Sequence, residues 1–280
     1  MLLMGKIKLI VTDLDGTFTG GGGAILEENL KAVKAAQENG IMICACSARL
    51  WAMGRHLVEK CGFDRFAIFN GGASVVDCPT GKHIYRNGLP REYFKELLTA
   101  SISFGVPVQS WNHDFIGMYR PTMGERGLSM LQRSTNPDTL MHCEMRVYDT
   151  IDNMDAGCRD VANQILIFSG AEYLEPVREK VLKICDVEVT CSSAHCVDIT
   201  ALGATKGGAI EKLAEHLGLG KENIMAIGDS HSDIDMFRTS GLTVAVENAV
   251  DGLKNAAQHV VAKNVDFGFA QAVYELAMKS

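Results

Sequence analysis

Short apolar runs that stop at acidic residues, serine or glycine and then hand over to helical spacing occur at both ends of this chain. This rhythm constrains the fold more than any other feature. Residues 8–12 form the first run and end at Asp13. An unbroken apolar, β-branched run of this length reads as a strand buried on both faces, the habit of parallel sheets. Helical spacing follows over residues 27–39, with Leu26, Leu30, Val33 and Ala36 or Gln37 along one side and Gly40 as the stop. A strand over 41–46, a helix over 50–60 and a strand over 66–69 continue the series. Strand-helix alternation of this kind predicts an α/β fold with a doubly wound, Rossmann-like parallel sheet. The same rhythm returns late in the chain. A helix opens at Thr205-Lys206, strands occupy 223–227 and 242–246, a helix starts near His231, and a last helix covers 269–278.

The middle has a different character. Beyond Asn70-Gly71-Gly72, residues 73–77 and 83–86 flank Cys78-Pro79-Thr80-Gly81-Lys82 as a hairpin. A helix over 92–104, a poorly patterned stretch over 111–161, a strand over 164–168 and a helix over 175–184 then read as an inserted α+β unit. With 280 residues and 47% hydrophobic content, two cores can form. The expected organisation is one discontinuous core domain, residues 1–85 and 191–280, interrupted by an inserted domain over 86–190. Its closing boundary falls between Asp186 and Gly203.

Charge and cysteine usage narrow the function. The chain carries 27 Lys and Arg against 34 Asp and Glu, a net charge of −7, and no basic run, which argues against nucleic acid as a partner. An anionic ligand must therefore be held by individual cations or a metal. The nine cysteines are scattered and form no C-x-x-C pair, so they read as reduced core thiols. Met1-Leu2-Leu3-Met4 is too short for a signal segment and no apolar run reaches membrane-spanning length, so no membrane role and a cytoplasmic location are expected. Nothing specifies an oligomeric state.

Ligands of open parallel sheets gather beyond the carboxyl ends of the strands. Asp13 and Asp15 stand there after the first strand, Ser47 after the second, and Asp229 and Asp233 after a late one, while Lys206 opens a helix. Asp13 and Asp15 are two apart in extended chain, so both side chains can face one site. Two carboxylates that close call for a cation, and magnesium accepts carboxylate, water and phosphate oxygens together. A carboxylate can also attack phosphorus, with a second carboxyl as acid and base. Gly16 permits a tight turn after the pair, and Thr17 can hydrogen-bond back into it. The competing reading, a calcium loop, lacks its glutamate: the twelfth position counted from Asp13 is Ala24. Gly20 to Gly23 read as a mobile flap, because no Gly-Lys-Ser or Gly-Lys-Thr follows to make a Walker loop.

Each remaining group also has a plain structural reading. Ser47 can hold an anion with helix N-terminal amides, or simply cap that helix. Lys206 opposes the helix dipole where it stands, which suits either an anion site or a solvated surface residue. Helix capping explains one of Asp229 and Asp233, which lie one turn apart, but not both. His231 reads as a surface residue.

In this order, Asp13-Leu14-Asp15-Gly16-Thr17, Ser47, Lys206 and Gly228-Asp229-Ser230-His231-Ser232-Asp233 resemble the four motifs of the haloacid dehalogenase superfamily. The insertion resembles the large α/β cap (type C2B) of its Cof-type subfamily. The resemblance implies a magnesium-dependent phosphatase acting on a small phosphomonoester, with sugar phosphates the default class. It implies Asp13 as nucleophile and Asp15 as acid/base, with Ser47, Ala48, Lys206 and Ser232 on the phosphoryl group. Magnesium would be held by Asp13, the backbone carbonyl of Asp15 and Asp229, with Asp233 in support. The chain departs from the family pattern at Ser47-Ala48-Arg49, usually Thr-Gly-Arg. It departs again at Ser232, usually Asn, and at Glu247-Asn248, usually Gly-Asn. Alternatives are phosphotransfer in a phosphosugar mutase, a phosphorylatable signalling receiver, which has no use for the long insertion, and a binding protein with a vestigial site.

Overall fold

The computed structural model describes residues 6–135, 143–193 and 195–279. The Met1–Met4 opening and residues 136–142 of the poorly patterned stretch lie outside them. In chain order the first flank contains β1 (Leu9–Thr12), α1 (Glu27–Glu38), β2 (Met42–Ala45), α2 (Trp51–Lys60), β3 (Phe66–Phe69), β4 (Ser74–Asp77) and β5 (Lys82–Arg86). The middle contains α3 (Phe94–Ile102), β6 (Val108–Trp111), β7 (Phe115–Tyr119), α4 (Gly124–Ser134), β8 (Glu144–Tyr148), α5 (Ile151–Cys158), β9 (Gln164–Ile167), α6 (Leu174–Val181), β10 (Val187–Ser193) and β11 (Cys196–Ala201). The last flank contains α7 (Lys206–Leu217), β12 (Ile224–Gly228), α8 (Ile234–Arg238), β13 (Leu242–Val246), α9 (Asp251–Ala256), β14 (His259–Val261) and α10 (Gly268–Ala272).

Two compact units result. The first comprises Met1–Ala48, Arg55–Tyr85 and Thr205–Ser280; the second comprises Arg49–Gly54 and Arg86–Ala204. In the first, all pairs of the sheet β14-β13-β12-β1-β2 are parallel, and a bridge from Cys46 to Ile68 sets β3 alongside β2. The fold is α/β, as the alternation predicts. Strands β1, β3, β12 and β13 are buried along their whole length, which is why they read as unbroken apolar runs. The chain leaves β1 toward β2 and β3 on one side and later fills β12, β13 and β14 on the other. Strand order therefore reverses between β1 and β12, where the crevice of a doubly wound sheet opens.

Helix α1 buries Val33 and Ala36 of the expected stripe together with Asn29 and Ala32, while Leu26 and Leu30 are only half-buried. Asn29 can go inward because its Nδ2 donates to Phe18 O at 2.7 Å. Phe18 anchors this layer, edge-on to Phe63 and Phe269 with ring centroids 4.8 Å apart in each case.

The second unit is a mixed sheet, β10-β11-β9-β6-β7-β8, antiparallel except for the β7–β8 pair. Phe94, Leu97, Met154, Ile165, Val177 and Ile199 belong to its main core. Leu50, Met53, Ile116, Met118 and Met123 make a smaller cluster. Residues 191–204, given to the flanking domain by the sequence, belong to this unit, because β11 pairs along its length with β9 and β10. The described part of the stretch 111–161 holds β7, α4, β8 and α5. Helix α4 sets Gly127, Met130, Leu131 and Ser134 along one face at helical spacing, but fully buries only Gly127 and Ser134. Among the described residues no helix is long and apolar enough to cross a membrane.

Candidate active site

Most of the candidate groups collect at the β1/β12 reversal. Asp13 follows the last residue of β1, and its amide donates to Ile227 O of β12 at 3.0 Å. Both flanking segments thus fix the residue before its side chain is considered. The chain then turns through Asp15 (φ −83°, ψ 111°) and Gly16 (φ +90°). Gly16 is required twice over, since the left-handed φ excludes a side chain and an added Cβ would lie 2.5 Å from Asp229 Oδ2. Thr17 does not hydrogen-bond back into its own turn. Its hydroxyl donates across the crevice to Asp229 Oδ1 at 2.7 Å.

Lys206 is the hub. It is 3% exposed, and its Nζ donates to Asp13 Oδ1 at 2.6 Å and to Asp233 Oδ1 at 2.5 Å. A solvated surface lysine is excluded. Helix α7 is started by Thr205, whose hydroxyl accepts from Gly208 N at 3.1 Å and donates to Asp235 Oδ2. Asp235 also accepts from Gly207 N at 3.1 Å, a carboxylate at the positive end of the helix that offsets the lysine beside it. Gly72 closes this corner: with φ +107°, a Cβ there would fall 2.0 Å from Thr205 O. Neither Asp235 nor Gly72 was singled out by the sequence. The only hint was Gly71-Gly72 directly after a strand.

Asp233 uses both its oxygens. Oδ1 takes Lys206, while Oδ2 accepts from Asp229 N at 2.9 Å, Ser230 N at 2.8 Å and Ser230 Oγ at 3.0 Å. It closes the turn that presents Asp229. Asp229 itself precedes the helical turn instead of sharing a helix face with Asp233. Carboxylate oxygens of Asp13, Asp229 and Asp233 lie within 4.8 Å of one another. Asp15 is exposed in the turn and stands outside this trio.

Ser47 is buried just past β2, its amide donating to Ile68 O at 2.9 Å and its carbonyl accepting from Gly71 N at 3.1 Å. Helix α2 begins only at Trp51, so Ser47 does not cap it. Ala48 and Ser232 are exposed, and the Ser232 hydroxyl pairs with Ser230 Oγ at 2.8 Å. His231 and Glu247 are exposed as well. All nine cysteines are free thiols, and burial pushes Cys44 and Cys46 far up, so neither is a nucleophile at neutral pH.

One lysine serves three buried or half-buried carboxylates, and the shortfall shows in their protonation. Burial pushes Asp13 up, to about 8, against the pull of Lys206 and with further repulsion from Asp233. Burial also raises Asp229, opposed by the Thr17 hydroxyl. Asp233 moves the other way, because Lys206 and the Ser230 and Asp229 amides outweigh its burial. Burial works against the Lys206 ammonium, but Asp13 and Asp233 hold it charged well beyond an ordinary lysine. An all-oxygen, electron-rich trio short of positive charge fits a hard divalent cation.

The family model described as haloacid dehalogenase-like hydrolase matches residues 10–273. Two similar curated proteins from Bacillus subtilis bear the name 5-amino-6-(5-phospho-D-ribitylamino)uracil phosphatase. YcsE is 27% identical over 267 residues, covering 95% of this chain and 94% of its own. YwtE is 27% identical over 286 residues, covering 96% and 98%. Among solved structures, a haloacid dehalogenase-like hydrolase from Bacteroides thetaiotaomicron matches with a TM-score of 0.81 at 24% identity, covering 96% of this chain and 98% of its own. Another from B. subtilis gives 0.82 at 24% identity, covering 96% and 100%. At these identities the structures show a shared fold.

Proposed function

The chain belongs to the haloacid dehalogenase-like hydrolases of the Cof type, and from that premise we propose that it is a phosphatase that hydrolyses a small phosphomonoester through an aspartyl-phosphate on Asp13. The observation that carries the reading is the buried carboxylate of Asp13, held 2.6 Å from Lys206 beside Asp229 and Asp233. Lys206 aligns one Asp13 oxygen and leaves the other to attack. In the first step a bond forms between that oxygen and phosphorus while the ester P–O bond breaks. Asp15, exposed in the turn, gives the departing alkoxide its proton. In the second step Asp15 takes a proton from water as the water oxygen attacks the same phosphorus, releasing inorganic phosphate and restoring Asp13. Lys206, the Ser47 hydroxyl, the Ala48 backbone and Ser232 hold the phosphoryl oxygens and offset the charge that spreads over them.

Asp13, the Asp15 carbonyl and Asp229, with Asp233 in support, would hold magnesium, which when bound supplies positive charge to the phosphoryl group. Sugar phosphates are the proposed substrate class. The phosphate of the compound named for YcsE and YwtE sits on a ribityl chain, which is a phosphomonoester of the same kind. The test is phosphate release from a panel of sugar, polyol and nucleotide monophosphates with magnesium or EDTA, using Asp13→Asn as the blank. Release that survives Asp13→Asn overturns the mechanism. Isomerised sugar phosphate without free phosphate would identify a mutase, and a stable phosphoprotein without turnover a signalling receiver.

A further inference from the structure

We infer that Asn29, Asn248 and Asn264 are positioning residues that hold the loop after Asp13 in its cation-gripping shape, an inference that rests on the reading of Asp13, Asp229 and Asp233 as a magnesium site. The loop from Leu14 to Thr19 contains one π-helical turn, Leu14–Phe18, broken by non-helical backbone at Asp15 and Gly16. Thr19 N and Thr19 Oγ1 both donate to Leu14 O at 2.9 Å where it closes. Side chains from outside the loop anchor it further. Asn248 Nδ2 donates to Gly16 O at 2.8 Å, Asn29 Nδ2 to Phe18 O at 2.7 Å, and Asn264 Nδ2 to Thr19 O at 2.7 Å.

Three carbonyls of one short loop are therefore each met by an asparagine amide, and the asparagines come from three separate places: α1, the turn after β13 and the turn after β14. Asn248 Oδ1 also accepts from Asn264 N at 2.8 Å, so two of the three act as a unit. The residue type matters, because an amide can give a proton to a carbonyl and accept one from a backbone N–H, whereas a carboxylate there could only accept. What the loop carries makes its position consequential. Thr17 reaches Asp229 from it at 2.7 Å, and Gly16 lies against the same carboxylate. A loop free to drift loosens Asp229 without touching Asp13 or Lys206.

Asn29 and Asn264 are buried, whereas Asn248 is exposed, so replacing Asn248 leaves no hole in the core. Asn248→Ala removes both of its contacts, and Asn248→Asp keeps the acceptor for Asn264 N but withdraws the donor to Gly16 O. The experiment measures half-saturating magnesium in phosphate release and, separately, the shift of Tm on adding a fixed, sub-saturating magnesium concentration. In both variants half-saturating magnesium should rise about tenfold, as expected for losing one to two hydrogen bonds. The magnesium-induced shift of Tm should fall below half the wild-type value. If the variants lose Tm without magnesium yet keep both magnesium responses within twofold of wild type, the asparagines only pack the loop and the inference is overturned. A wild-type protein with no magnesium response in either measurement overturns the magnesium reading itself, and this inference with it.

Discussion

Replacing Lys206 by methionine keeps most of the side chain's length and removes its charge. The ammonium lies 2.6 Å from Asp13 Oδ1 and 2.5 Å from Asp233 Oδ1 and is almost wholly shielded from solvent, so water cannot fully take its place. Removing one partner from a buried ion pair costs about 3–5 kcal/mol, because the remaining charge is stranded. Here Asp233 is stranded as a buried charge and Asp13 loses its cation, in a protein whose total stability is expected to be on the order of 5–15 kcal/mol. The loss carries a pH signature. In the wild type, Asp233 lies below its ordinary value of 3.8, so it contributes stability that is present above that value and lost as pH falls through its folded pKa. Without Lys206 the strongest pull holding Asp233 down against its burial is gone, so Asp233 rises and weakens the fold as pH climbs above about 4, whereas Asp13, already raised in the wild type, weakens both proteins alike below about pH 8. Every pH unit over which one such group retains its extra proton is worth about 1.4 kcal/mol. Urea unfolding in EDTA should therefore separate wild type from Lys206→Met by about 4 kcal/mol at pH 8 and by roughly half of that at pH 5. Adding Asp233→Asn to Lys206→Met should recover part of the difference. A separation below about 1 kcal/mol at pH 8, or one that does not change with pH, refutes the reasoning.

Gly72→Ala should cost about 3 kcal/mol or more, combining strained backbone with a clash on Thr205, whereas Gly71→Ala, with φ +63° and open space around it, should cost only about 1 kcal/mol. Equal losses in denaturant unfolding would contradict the close approach. Asp13→Asn should abolish phosphate release while magnesium-free Tm changes little or rises, since it removes a buried carboxylate that burial already pushes toward the neutral form. Lys206→Ala should lower kcat by about 10²- to 10³-fold if it neutralises transition-state charge. Asp13 and Asp229 are raised in the metal-free protein, so without metal the fold loses stability as pH climbs from near 4 toward 8. Magnesium competes with those protons, so its shift of Tm should grow across the same window, and a shift that shrinks with pH would argue against these ligands.

The doubly wound sheet was legible because β1, β12 and β13 are buried on both faces and so appear as apolar runs of strand length. Strand β8, Glu-Met-Arg-Val-Tyr, is half exposed with a short alternation, and α4 fully buries only Gly127 and Ser134, so the apolar residues of neither mark a deep core face. The acids of the candidate site were visible because they stand where strands end, and the lysine because it opens a helix against the dipole. Asp235, Asn29 and Asn264 were not, and Asn248 was noticed only beside the departure at Glu247, without a role. They act on backbone amides and carbonyls, and Asn248 and Asn264 meet loop partners more than 200 positions away in the chain, a pairing that no local pattern encodes.

The central place of β1 has a consequence for how this protein comes off the ribosome. β1 is made before its sheet neighbours: β2 follows within about thirty residues, but β12, which pairs Ile10 with Met225, arrives only after about 180 more. Throughout that interval one side of a strand made of Leu9, Ile10, Val11 and Thr12 has no partner, the situation in which incomplete chains stick to one another. Long-range pairing of this kind also slows folding, because the chain must close a large loop before the strand gains its second neighbour. Chains that stop short of residue 224 should be markedly more aggregation-prone than the full-length protein and the more dependent on chaperones, although they retain Asp13, Ser47 and Lys206.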